Sequence, residues 1–124
     1  MPLAPSTEFV EYVLEHLESI GPIGTGRFFG GVGITYDSVQ FAMMIGNSLY
    51  FVVDDDTRKK YEQAGMQSFS YMTKKGRMQV RRYFELPEDI LSDKEKLQIW
   101  ARESIQIAHK TKKPRKATHK SKQL

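Results

Sequence analysis

Two dipeptides, Asp37-Ser38 and Gly46-Asn47, constrain this chain more tightly than any other feature. Each separates stretches of alternating hydrophobicity, and a two-residue connection joins strands that run antiparallel. The first stretch runs from Arg27 to Tyr36, with Phe28, Val32, Ile34 and Tyr36 expected on one face. The second, Val39 to Ile45, alternates through Val39, Phe41, Met43 and Ile45, and the third, Leu49 to Val53, through Leu49, Phe51 and Val53. Gly30, Gly31 and Gly33 interrupt the first stretch and mark a bulge or a close backbone approach. The middle of the chain is therefore expected to be a three-stranded antiparallel meander.

The flanking segments supply helices and a further hairpin. Ser6 is placed to cap a helix in which Phe9, Val13, Leu17 and Ile20 recur at helical spacing, and Gly21-Pro22 ends it. Asp54-Asp55-Asp56 caps a short helix that Gly65 stops. Phe69–Lys74 and Arg77–Glu85 form a hairpin around Lys75-Gly76. Pro87 to Leu91 reads as one helical turn, and Ser92 with Glu95 matches a capping box. The helix that follows turns Leu97, Trp100, Ala101, Ile105 and Ala108 toward the core. The predicted fold is a two-layer α+β domain with a five-stranded antiparallel sheet, in the order α-β-β-β-α-β-β-α, with one sheet face partly open because the helices are few.

Charge divides the 124 residues into two parts. The net charge is +4, yet residues 109–124 hold seven basic side chains and no acid, which leaves 12 Lys and Arg against 15 acids in residues 1–108. The predicted boundaries are thus a mildly acidic domain over 1–108 and a basic segment over 109–124, expected to be disordered for want of apolar periodicity. The sequence contains no cysteine, which excludes disulfides and thiolate chemistry and suits a reducing compartment. The first residues lack the pattern of a signal peptide, and no apolar run approaches the ~20 residues of a membrane span, so a cytoplasmic location without membrane contact is expected.

Candidate chemistry is sparse. The glycines at 24, 26, 30, 31 and 33 precede a strand, whereas a phosphate-cradling loop opens a helix, so they read as structural. Three adjacent aspartates at a strand–helix junction diverge and read as caps; a calcium loop needs ligands at alternate positions and a distal glutamate. The three histidines, His16, His109 and His119, are scattered, and no nucleophile elbow or zinc motif occurs. No catalytic residue, cofactor or metal is expected, and the chain reads as a binding module rather than an enzyme. The candidate contacts are basic: Lys110, Lys112, Lys113, Arg115, Lys116, Lys120 and Lys122 in the terminal segment, and Lys74, Lys75, Arg77 and Arg81 on the last hairpin. On that hairpin Arg77, Gln79 and Arg81 are expected to share a face, with Arg82 on the other; a solvated face and a phosphate-binding patch both fit this pattern.

The ordered series Arg27-Phe28-Phe29-Gly30-Gly31-Val32-Gly33-Ile34, Phe41-Ala42, Leu49-Tyr50-Phe51, Asp54, Gly65, Phe69-Ser70-Tyr71, Leu86-Pro87 and Leu97-Gln98-Ile99-Trp100-Ala101 resembles the N-terminal domain of the TfoX (Sxy) family. The match covers nearly all of residues 8–108, with Phe29, Gly30, Gly31, Gly33 and Trp100 as its structural markers. The resemblance implies a bacterial regulator linked to natural competence, a two-layer α+β fold, a protein partner such as the cAMP receptor protein, and no catalytic residues. Full-length members carry a second, helical domain, where this sequence has the basic segment. Three functions remain: a transcription-linked module that binds protein, with nonspecific DNA or RNA affinity from the basic segment; a chaperone-like homodimer using an exposed sheet face; and a small-molecule sensor with a pocket beneath the glycine-interrupted strand.

Overall fold

The computed structural model describes residues 4–28 and 30–119, with side-chain surroundings as far as residue 111. The elements are α1 (Thr7–Leu17) with a 3-10 turn (Glu18–Ile20), β1 (Ile23–Phe28), β2 (Gly31–Tyr36), β3 (Val39–Ile45) and β4 (Ser48–Val52). They continue with α2 (Arg58–Gln63), β5 (Ser68–Thr73), β6 (Gly76–Glu85), α3 (Glu88–Leu91) and α4 (Lys94–His119). All neighbouring strands pair antiparallel in one sheet of order β1-β2-β3-β4-β6-β5. Among the described residues no helix is long and apolar enough to cross a membrane.

The sheet has six strands where five were expected. The stretch read as one strand from Arg27 turns back on itself: Gly30, at φ 81°, reverses the chain and Ile23–Phe28 pairs with Gly31–Tyr36. Gly24 and Gly26 hid this strand because they carry no apolar side chain to mark its period. Register moves Phe28 to the face opposite Val32, Ile34 and Tyr36, since it lies across from Gly31 while Arg27 lies across from Val32. Phe29 itself falls outside the described residues.

A bulge in β3 changes a second alternation. Ile34 lies across from Ala42 but Thr35 from Gln40, so Phe41 is an extra residue. A bulge sets two successive side chains toward the same side, and Phe41 packs beside Phe51, ring centroids 5.8 Å apart, on the helix-facing side of the sheet. Met43, expected to share a face with Phe41, points to the opposite side.

Helix α4 crosses the helix-facing side above β3 and β4, with α1 on one flank and α2 on the other. Its buried Leu97, Ala101, Ile105 and Ala108 follow the expected stripe, and Ile107 and Ser104 add to it. The Ser104 hydroxyl lies 3.0 Å from the Phe41 carbonyl and 2.9 Å from that of Val52. These oxygens sit just beyond Ala42–Phe51, where the β3–β4 register ends. One hydroxyl proton shared between them serves two strand carbonyls at the point where the β3–β4 pairing ends.

The caps follow the chemistry read from the sequence, with one shift. Ser6 Oγ accepts from Phe9 N at 3.1 Å, while Ser6 N donates to Asn47 Oδ1 at 3.0 Å, tying α1 to the β3–β4 turn. After α2, Gly65 adopts φ 82°, and the Met66–Tyr61 and Gly65–Glu62 backbone bonds close a Schellman motif. The cap of α4 is Asp93, whose Oδ1 accepts from Lys96 N at 3.1 Å. Ser92 is already committed to the end of α3, where its N–H donates to Glu88 O. Helix α4 also passes the expected boundary at Ala108 and continues to His119. Lys, Arg and Ala are good helix formers, and Thr111 Oγ1 donates back to Ile107 O at 3.1 Å, securing the first turn of the extension.

Strong curvature lets the side of the sheet without helices bury its own centre. Phe28 on β1 and Tyr83 on β6 have ring centroids 6.1 Å apart. Four strand spacings of about 4.8 Å would separate those strands by about 19 Å in a flat sheet. The pairing puts Gly24, Gly26, Gly31 and Gly33 on the face that Phe28 occupies, so this side of β1–β2 is nearly free of side chains and can curl inward. Met43 is fully buried there, and Tyr50 packs edge-on against Phe69 at 5.4 Å. The partly open face expected from the small number of helices is thus closed at its centre. Exposed large apolar side chains lie instead on the β5–β6 hairpin, as Met72 and Met78, and on α4, as Ile99.

A Cβ at Gly31 would meet the Met44 carbonyl oxygen, whereas one at Gly26 would meet nothing within 4 Å. Gly31→Ala is therefore expected to destabilise the fold by about 1–3 kcal/mol, as overpacking does, while Gly26→Ala leaves stability nearly unchanged; urea unfolding separates the two. Ser104→Ala, which strips the two strand carbonyls of their donor, is expected to cost about 1–3 kcal/mol in the same measurement.

Candidate anion-binding face

Strand β4 ends at Val52, and Val53 leaves toward α2 with its N–H still donating to Arg82 O at 2.8 Å. Beyond that point β3 and β6 no longer have a strand between them. The β5–β6 register jumps there as well: Phe69 lies across from Val80 but Ser68 from Phe84, so Arg81, Arg82 and Tyr83 form a wide irregularity in β6. The gap and the bulge together open a cleft at one end of the sheet, closed from the helix side by the later turns of α4.

The cleft has a volume of about 470 Å³. Phe28, Val39, Val80 and Ala108 make its apolar walls, and Gln40, Arg82, Tyr83 and Thr111 contribute polar groups. Arg82 Nη2 donates to Thr111 Oγ1 at 3.4 Å, joining β6 to the extension of α4. Gln40 Nε2 donates to the Tyr83 hydroxyl oxygen at 3.1 Å, which leaves the phenolic proton available as a donor. Burial raises the Tyr83 pKa against the opposing effects of Gln40 and Arg82, so the phenol is protonated at neutral pH. The turn between β2 and β3 stands at the rim, with Asp37 and Ser38 held at φ 52° and 71°, values that non-glycine residues adopt at a cost.

A shallower cleft of about 320 Å³ adjoins the first and shares Arg82 with it. Arg58 lines it but is engaged by Asp55 at 3.1 Å and Glu62 at 3.7 Å. Asp54 holds the start of α2: its Oδ1 accepts from Thr57 N at 2.8 Å and Asp56 N at 3.0 Å, and Thr57 Oγ1 accepts in return from Asp54 N. These bonds, the Thr57 N–H foremost, hold the Asp54 carboxyl below its ordinary pKa, and Lys110 lowers it further. Arg81 and Arg82 form no ion pair with any described carboxylate.

The predicted basic residues divide into two groups. Lys74 and Lys75 lie exposed at the β5–β6 turn, and Arg77 is held by Ser70 Oγ at 2.8 Å. Arg81 stands four positions farther along β6 than Arg77, roughly 13 Å at strand rise, and lines the shallower cleft with Arg82. Lys112, Lys113, Arg115 and Lys116 occupy helical positions on α4, and Lys120 and Lys122 fall outside the described residues. Arg81 and Arg82, expected on opposite faces, both line the shallower cleft where β6 is irregular; the place of Arg82 was missed because the early end of β4 leaves no local signal. Gly30 and Gly31 shape the β1–β2 turn, and Gly33 lies against the Gln40 side chain. Trp100 packs edge-on against Tyr61 at 4.8 Å beneath the Lys60 ammonium, which is 4.2 Å from the ring centre and 2.7 Å from Glu103. Among the described residues no group of three or more His, Asp or Glu side chains is placed to hold a metal ion.

Together these features define a small α+β domain with an antiparallel, strongly curled sheet and a basic edge where β6 meets α4. The TfoX N-terminal domain model matches residues 15–108, and the chain belongs to that family. The matched span runs from within α1 to Ala108, so it includes most of the cleft but stops before Lys110 and Thr111. No curated protein matches the sequence.

The depressed pKa of Asp54 carries a pH dependence. Its hydrogen bonds favour the carboxylate, so their stabilisation is present above the unfolded value near 3.8 and is lost as pH falls through the lower folded value. Asp54→Asn is expected to flatten the acid limb of stability against pH, measured by urea midpoints across that range.

Proposed function

We propose that the protein is a non-enzymatic regulatory module whose α+β domain contacts a protein partner while its basic helical extension engages nucleic-acid phosphates without sequence preference. The observation that carries this reading is the continuity of α4. One helix runs from the packed core to His119, so the cationic positions from Lys110 to Lys116 are carried on a helix joined to the domain beside Arg82. Membership in a family of competence-linked regulators supports the regulatory role. The domain beneath is mildly acidic and suits protein contacts better than a phosphate backbone, which confines phosphate binding to this edge. The non-enzymatic reading rests on the character of the perturbed groups: Asp54 is a cap, and Tyr50, Tyr61 and Tyr83 are phenols raised chiefly by burial.

The test is anisotropy of labelled random-sequence duplex DNA with the full chain and with a variant carrying Lys112→Gln, Lys113→Gln, Arg115→Gln and Lys116→Gln. Wild type is expected to bind with an affinity that falls steeply between about 50 and 200 mM salt. The variant is expected to show a log–log slope shallower by about 0.9 for each phosphate it no longer neutralises. Equal curves for the two proteins, or no binding by wild type at low salt, would remove nucleic acid from the function.

A further inference from the structure

We propose that the cleft between β3, β6 and α4 is a binding site for an amphipathic organic anion, an aromatic or branched apolar body bearing one carboxylate. This inference is independent of the nucleic-acid reading, which rests on the α4 extension.

The cleft combines two kinds of surface. Its volume, about 470 Å³, lies within the range of small-molecule sites. Phe28, Val39, Val80 and Ala108 offer walls for an apolar body, brought together from both sides of the sheet because β4 has ended. At the same place stand two donors without an acceptor of equal charge. The Arg82 guanidinium has one long bond to Thr111 and no carboxylate partner among the described residues, leaving most of its fork of N–H groups unoccupied. The Tyr83 hydroxyl accepts from Gln40 and so keeps its own proton to donate.

A carboxylate fits this pair of donors. Guanidinium presents two parallel N–H groups to its oxygens, and the phenol adds a third, neutral donor. A bare phosphate would leave the apolar walls wet, and an uncharged hydrocarbon would leave Arg82 and Tyr83 unanswered. Asp54, which lines the adjoining cleft, makes no ion pair with Arg82; its Oδ1 accepts from two backbone N–H groups at the start of α2. Such a ligand would bridge Arg82 on β6 and Thr111 on α4, so its occupancy would bear on where the basic extension leaves the domain.

The experiment is an amide-resonance NMR titration of the full chain with 2-naphthoate, its neutral counterpart 2-naphthalenemethanol, and inorganic phosphate. Naphthoate is expected to give saturable shifts at Phe28, Gln40, Val80, Tyr83 and Thr111, and the alcohol to bind at least about tenfold more weakly for want of the charged hydrogen bonds. Arg82→Gln should weaken naphthoate by a similar factor, and Val80→Trp should abolish binding by filling the cleft. Comparing the two naphthalene probes on wild-type protein tests the proposal even if either variant fails to fold. Absence of saturable naphthoate shifts, equal affinity for acid and alcohol, or an unchanged affinity in a folded Arg82→Gln would overturn it. Phosphate shifts at Arg82 and Thr111 without naphthoate shifts at Phe28 and Val80 would also overturn it, reducing the site to part of the basic face.

Discussion

The shared hydrogen bond of Ser104 joins the two layers at the point where regular sheet geometry fails. Phe41 is the extra residue of the β3 bulge, and its carbonyl and that of Val52 lie where β3 and β4 stop pairing. A buried strand carbonyl without a donor is costly, and α4 answers both with one hydroxyl. The bulge also turns Phe41 onto Phe51 on the helix-facing side. The residue that disturbs the ladder is therefore the one that fills the core, and the helix that covers it supplies the missing donor.

The same departure from regular pairing creates the cleft. Past the bulge β4 leaves for α2, β6 widens through Arg81, Arg82 and Tyr83, and the sheet acquires an open end between β3 and β6. Glycines on the inner face of β1 and β2 let the opposite edge curl until Phe28 reaches Tyr83. A side chain from the first hairpin thus becomes a wall of a site whose charge comes from Arg82 on the fifth strand in the sheet order and whose far side is closed by Ala108 and Thr111 of α4. Family membership covers this scaffold as far as Ala108, while the cationic helix beyond it lies outside the matched span.

Much of this was legible in the sequence because the signals are local. Asp37-Ser38 and Gly46-Asn47 specify tight antiparallel turns, Ser6 and Asp54 cap the helices they precede, and Gly65 closes α2 in a left-handed conformation. The charge boundary near residue 109 was equally plain. β1 was hidden because Gly24 and Gly26 present no side chain whose period can be read. The exchange of Ser92 for Asp93 as the cap of α4 follows from competition: both are good caps, and α3 claims the first.

The antiparallel meander, the helical coverings and the separation of an acidic body from a basic end all follow from the order of residues, since each depends on positions close together in the chain. The remaining features exist only once the chain has packed. Ser104 meets Phe41 from 63 residues away, and Arg82 meets Thr111 across 29. Phe28 finds Tyr83 only after the sheet has curled. A cleft formed where a strand ends early depends on which strands remain beside it, and that is a property of sheet order and curvature that no run of neighbouring residues encodes.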